Sequence, residues 1–237
     1  MNHSAGLARL LVVGAALAFP ALLFLGAARL LLSQEFLRFE YTRPGFPVDP
    51  YGLTTADRLA LGVHAIDYLL NGEGIDFLAS LTMAREQCLN AFSPEDTCPM
   101  FSRAALGHMQ DVKSITSLAF AFGLSLAIAS CATVYAARRS TTYRRAILRG
   151  LHLGSSLTLT VLLTLMVLAA AAWNHAFDAF HDLLFAAGTW RFPFSDTLIR
   201  LYPERLFVDA AIAISALVAA PCLLVLFLHA RTRNKPQ

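Results

Sequence analysis

Apolar residues in this chain gather into four long stretches, Leu7–Leu32, Ser114–Ala137, Leu151–Trp173 and Leu206–Ala230. Each is longer than the about 20 helical residues needed to cross a hydrocarbon core of roughly 30 Å, so each predicts a membrane-spanning helix. Pro20 and Pro221 fall inside the first and last runs, a position that spans tolerate when neighbouring helices satisfy the freed carbonyls. The first run is read as a retained anchor rather than a signal peptide, because of its length, Arg29 near its far end and the three spans that follow. Small residues recur in the third run and at its end (Gly154, Ser155, Ser156, then Ala169–Ala172), the composition of a close helix contact in lipid.

Polar positions supply the orientation. The connection 138–150 carries Arg138, Arg139, Arg144, Arg145 and Arg149 and no acid, and the tail carries Arg231, Arg233 and Lys235. Short basic connections stay cytoplasmic, which puts both termini inside and segments 33–113 and 174–205 outside. Every Asp and Glu, from Glu35 to Asp209, lies in or beside those two segments. The organisation expected is an all-α transmembrane protein, a four-helix membrane bundle with a small extracytoplasmic α(+β) cap. Its parts are 1–32 (N-terminus and span one), 33–113 (first outer segment), 114–173 (spans two and three with the basic loop), 174–205 (second outer segment) and 206–237 (span four and tail).

Segment 33–113 is too long for a plain connection. Within it, Glu35–Tyr41 mixes polar and aromatic residues and reads as a short strand or extended entry segment. Pro44, Pro47 and Pro50 mark turns. Thr54–Leu70 reads as a helix opened by a Thr54/Asp57 capping box and stopped by Asn71-Gly72-Glu73-Gly74. Phe101–Lys113, with Ser102 as N-cap, reads as a helical lead-in to the second span.

Composition agrees with lipid as the solvent: 57% of residues are hydrophobic and 15% charged, against about 25% charged in soluble domains. A net charge of +3, with no basic face interleaved with aromatics, gives no reason to expect nucleic acid as a partner. Cys88 and Cys98 flank a polar Ser-Pro-Glu-Asp-Thr turn in the outer segment, where an oxidising compartment favours a disulfide. Cys131 and Cys222 lie within spans and read as packing residues.

Candidate chemistry sits at the outer ends of spans two and three. His108 and Asp111 are spaced i,i+3, as are Asp178 and His181, so a carboxylate can lie beside each imidazole. Consecutive antiparallel spans bring both clusters to a similar depth. His64 and His175 read as solvated interfacial residues, and His3, His152 and His229 lie towards the cytoplasm. The chain has no Gly-x-Ser-x-Gly elbow, His-Glu-x-x-His helix, Cys-x-x-Cys pair or phosphate-cradling glycine loop. Imidazoles without an evident enzyme nucleophile suit proton transfer in a reaction whose nucleophile belongs to the substrate. Two other readings remain: a non-catalytic lipid-binding membrane protein, and a metal site built from the two histidines and nearby carboxylates.

The run Gly107-His108-Met109-Gln110-Asp111-Val112-Lys113 resembles the H-x-x-D-V-K block of the bacterial lipoprotein intramolecular transacylases. Phe180-His181, then Trp190-Arg191-Phe192 and Asp196-Thr197-Leu198-Ile199 through Pro203, resembles that family's second block. The chain departs from the pattern in its Ala- and Arg-rich composition and its Cys88/Cys98 pair. The resemblance implies intramolecular acyl transfer, without a cofactor or metal, from the sn-2 ester of a diacylglyceryl lipoprotein to its N-terminal cysteine amine. It implies His108 and His181 as the functional imidazoles and Asp111, Lys113, Asp178, Trp190, Arg191 and Asp196 as supporting residues. Lipoprotein and membrane lipids would be the partners, and the alternative is a non-catalytic lipid- or lipoprotein-binding membrane protein with the same outer site. Base and acid are not assigned between the two histidines, and the oxyanion donor stays open among Lys113, Arg191 and a backbone amide.

Overall fold

A computed structural model describes residues 3–89 and 97–233, so most of the polar turn between Cys88 and Cys98 lies outside the described residues. In chain order the helices are α1 (His3–Leu31), α2 (Gln34–Thr42), α3 (Thr55–Leu70), α4 (Asp76–Ala79), α5 (Arg103–Ala137), α6 (Thr141–Ala171), α7 (Trp173–Leu184), α8 (Thr197–Leu201) and α9 (Glu204–Arg233). The strands β1 (Thr82–Ala84) and β2 (Thr97–Pro99) pair antiparallel with Met83 opposite Cys98. Helices α1, α5, α6 and α9 are long and apolar enough to cross a membrane. Their outward apolar residues, such as Leu10, Leu124 and Leu163, are exposed. Soluble proteins avoid apolar surface on this scale, whereas lipid solvates it. The chain is an all-α multi-pass membrane protein apart from one two-stranded ribbon among the described residues.

Two compact units divide the chain. The membrane unit comprises Met1–Arg29, Ala119–Ala176 and Ile212–Gln237. Its helices approach through small residues. A Cβ at Gly154 would lie 2.5 Å from the Ala16 carbonyl oxygen, and one at Gly150 would run into the Val12 carbonyl and the Ala15 methyl. Gly150 and Gly154 thus form a small-xxx-small seam on α6 against α1. The basic connection is shorter than its arginines suggest. Ser140 caps α6 by accepting from the Tyr143 amide, so Arg144, Arg145 and Arg149 already lie on the helix. The third span ends at Ala171, and α7 begins after a single break at Ala172.

The α+β unit comprises Leu30–Leu118 and Phe177–Ala211. One core joins Ala65 and Tyr68 of α3, Leu78, Met83, Met100, Ala105 and Met109 of α5, and Leu198 and Leu201 of α8. A second joins Leu37 and Tyr41 of α2 to Ile66 and Leu206. Glu35–Tyr41 is therefore helical, not extended. Ser33 caps α2 by accepting from the Phe36 amide, and Leu37 and Tyr41, one turn apart, turn one face inward. The capping box at Thr54 and Asp57 is present, and Asn71 ends α3. Tyr41 donates its hydroxyl proton to the Leu201 carbonyl, and Tyr202 donates to that of Gly62. Arg200, fully buried, holds Asp49 at 3.0 Å and also donates to the Gln87 and Tyr51 carbonyls. Cys88 and Cys98 are joined by a disulfide beside the β-ribbon.

Candidate active site

Helix α5 is 35 residues long, roughly 50 Å at 1.5 Å per residue, well beyond the hydrocarbon thickness. Its polar first turns, Arg103–Lys113, therefore extend past the apolar run that begins at Ser114. Ser102 caps them, its hydroxyl accepting from the Ala105 amide and donating to Asp196 at 2.8 Å. Because Ala105 and Met109 face the core, His108 on the neighbouring face is carried into the α+β unit and is only 9% exposed. On α7, Phe177, His181 and Phe185 recur every fourth residue and share one face, with Phe185 just past the helix end. His181 is likewise buried.

The two imidazoles stand with ring centroids 6.4 Å apart and planes 29° from parallel. Aromatic rings enclose them. Phe185 and Phe192 present edges to His108 at 4.7 and 5.5 Å. Phe177 lies 4.1 Å from His181 and Trp190 4.8 Å. The indole of Trp190 is itself anchored, donating to Asp182 at 3.1 Å.

His181 Nδ1 lies 2.8 Å from the Phe177 carbonyl oxygen. A carbonyl can only accept, so Nδ1 carries the proton and the neutral ring keeps its lone pair on Nε2. His108 differs. Its Nδ1 is buried and has no hydrogen-bond partner among the described residues. Burial, and secondly the charge of His181, pull its pKa below the ordinary 6.5, with Asp111 opposing them. Burial thus favours the neutral form of His108.

The supporting residues suggested by sequence divide into two groups. Trp190 packs on His181, and Asp111 acts on His108 through its charge. The others are engaged elsewhere. Asp178 accepts from Arg191 at 3.0 Å, with both side chains largely exposed and the guanidinium over the Trp190 ring. Lys113 donates to Asn71 and to the Glu73 carbonyl and lies over the Tyr68 ring at 4.0 Å, tying α5 to the end of α3. Asp196 caps α8 by accepting from the Leu198 amide. The partner of His181 is thus the Phe177 carbonyl, four residues earlier, and not the expected Asp178 carboxylate. Its only trace in the sequence is the fourfold spacing of Phe177, His181 and Phe185. Among the described residues no group of three or more His, Cys, Asp or Glu side chains is placed to hold a metal ion.

A comparison with known families and structures bears on this arrangement. The profile of the family "lipoprotein intramolecular transacylase Lit" matches residues 12–207. An uncharacterised protein from Aquifex aeolicus (strain VF5) is 29% identical over 209 residues, 88% of each chain. The solved structure of the membrane-integral lipoprotein intramolecular transacylase Lit from Bacillus cereus superposes with a TM-score of 0.70 at 21% identity, covering 96% of both chains. A histidine-to-alanine variant of that protein gives a TM-score of 0.52 over 96% of this chain and 94% of that one. At such identities the superpositions establish the fold, and the family follows from the profile, which spans most of the chain. The chain belongs to the lipoprotein intramolecular transacylase (Lit) family.

Proposed function

We propose that this protein moves the acyl group of the glycerol sn-2 ester of a diacylglyceryl lipoprotein onto the α-amine of its N-terminal cysteine, leaving a lyso-form lipoprotein. The observation that carries the reading is the His181–Phe177 bond, which leaves Nε2 as a free base beside a second, neutral imidazole inside an aromatic shell. An N-terminal amine has a pKa of about 7.7–8.0 and must be uncharged to attack. As nitrogen bonds to the ester carbon, His181 Nε2 takes the amine proton. Collapse of the tetrahedral intermediate breaks the bond to the sn-2 oxygen, and the His181 imidazolium returns that proton to the departing alkoxide. His108, kept neutral, presents a ring N–H to the developing oxygen charge, an electrostatic role that needs no second base.

Amine and ester belong to one molecule, so holding it folded supplies an effective molarity worth several kcal/mol of barrier, and no acyl-enzyme is required. The surrounding Phe177, Phe185, Phe192 and Trp190 side chains keep water from competing for the ester. The arginine pattern supports a multi-pass plasma-membrane protein with both termini cytoplasmic and the histidines at the outer leaflet.

The test is expression in a host lacking N-acylation, followed by mass spectrometry of lipoprotein N-terminal peptides. Wild type should convert the diacylglyceryl form to the N-acyl lyso form. His181→Ala and His108→Ala should each lose most of that conversion, on the order of 100-fold or more for the general base. Full conversion by either variant would remove that residue from the mechanism. An unchanged acyl pattern with wild type would instead favour a lipoprotein-binding protein without chemistry.

A further inference from the structure

The membrane unit contains a second pair of histidines that the acyl-transfer reading does not use. His152 of α6 and His229 of α9 stack with ring centroids 4.2 Å apart and planes 26° from parallel. They line a cleft of about 490 Å³ with Leu226, Ala230 and Arg233. The Nδ1 of His152 is buried with no hydrogen-bond partner among the described residues. Neighbouring Arg231 is not part of the lining, and its guanidinium lies over the Phe227 ring at 4.5 Å. Stacked rings do not converge their nitrogens on one point, as a metal would require.

Charge narrows the ligand. Counted over its stretches of sequence, the membrane unit holds ten Lys and Arg and not one Asp or Glu, because all sixteen acids fall in the other unit. The cleft therefore offers imidazole and guanidinium donors without an internal carboxylate to answer them. We propose that it binds the phosphate of an anionic phospholipid. It lies at the end of α9, where the apolar run gives way to arginines as at a lipid headgroup boundary, and Leu226 and Ala230 give an apolar wall for the start of an acyl chain. A headgroup carrying its own ammonium, as in phosphatidylcholine, would find no carboxylate here. Phosphatidylglycerol brings only negative charge and hydroxyls. The site is independent of the transacylase reading.

Native mass spectrometry of the full chain, released from detergent with equimolar phosphatidylglycerol and phosphatidylcholine, tests this. Wild type should retain phosphatidylglycerol preferentially. The Arg233→Gln variant should lose about fivefold of that retention, and the His152→Ala/His229→Ala variant at least as much. Detergent melting curves check that the variants fold. If the double variant does not, Arg233→Gln at the exposed helix end carries the test alone. Arg144→Gln, on an exposed arginine outside the cleft, should leave retention unchanged. Equal retention of both lipids overturns the proposal, as do cleft variants that match wild type. An Arg144→Gln loss as large as that of Arg233→Gln overturns it in favour of diffuse attraction. Binding of inorganic phosphate without any lipid preference overturns the lipid source.

Discussion

At the scale of single residues, the two buried histidines differ in what surrounds them. His181 is fixed by a backbone carbonyl at one nitrogen, whereas His108 lies among phenyl rings with no hydrogen-bond partner for Nδ1 among the described residues. The depressed pKa of His108 has two readable consequences. In an NMR titration of the imidazole signals, its midpoint should fall below 6.5, and Asp111→Asn should move it lower still, since Asp111 is the charge that favours the cationic ring. A midpoint that rises in Asp111→Asn would rule out this account of the electrostatics. The linkage has a definite sign. A base whose folded pKa is depressed stays neutral when the unfolded chain has begun to protonate, so its contribution to stability is present above 6.5 and is lost as pH falls through the window below. Both histidines were visible in the sequence through their i,i+3 acids and common depth. The group that holds His181 was not, because every residue has a carbonyl and only the fold selects that of Phe177. Lys113 and Asp196 are supporting residues by resemblance, but their partners, Asn71 and Ser102, lie 42 and 94 residues away.

At the scale of elements, the start of α3 is the feature most plainly encoded by neighbouring residues. The reciprocal bonds of Thr54 and Asp57 span four residues, so the start of α3 is encoded where it occurs. Helix α2 was not legible, because the reason Leu37 and Tyr41 share a face is their burial against Ile66 and Leu206, far along the chain. The same non-local logic governs α8, anchored by the buried Arg200–Asp49 pair. Asp49→Ala would strand a buried guanidinium and should cost about 3–5 kcal/mol in thermal or denaturant unfolding. Asp49→Leu combined with Arg200→Met should recover much of that loss, because two apolar groups leave no charge uncompensated. A double variant no more stable than the single one would show that α8 depends on the charges themselves. In the membrane unit the analogous contact is the Gly150–Gly154 seam. Neither Gly150→Leu nor Gly154→Leu can be absorbed by side-chain motion, since backbone carbonyls of α1 occupy the space. Each should lower the detergent melting temperature clearly, while Gly107→Ala, where nothing among the described residues lies within 4 Å, should not.

For the whole molecule, charge is distributed by unit more sharply than composition suggests. A net charge of +3 hides a membrane unit without an acid and an α+β unit that holds all sixteen. Acids contribute little to topology, so this segregation does not orient the chain by itself. The proposed orientation rests on the arginines, five around the α5–α6 turn and two at the end of α9, because short basic connections are retained on the cytoplasmic side. On that proposed orientation the carboxylates, the disulfide and the paired histidines lie on the opposite side, as the proposed acyl transfer to an exported lipoprotein requires. Labelling of single cysteines with a membrane-impermeant maleimide separates the two orientations. Val48→Cys, at an 85% exposed position in the α+β unit, should react in intact cells. Arg144→Cys, at the start of α6, should react only after permeabilisation. The reverse pattern would place the histidines in the cytoplasm, out of reach of an exported lipoprotein, and the acyl-transfer reading would fall with the topology. Replacing Arg138, Arg139, Arg144, Arg145 and Arg149 by Gln should then weaken the preference for one orientation in the same assay, because the label on Val48→Cys reports whichever side the arginines no longer hold.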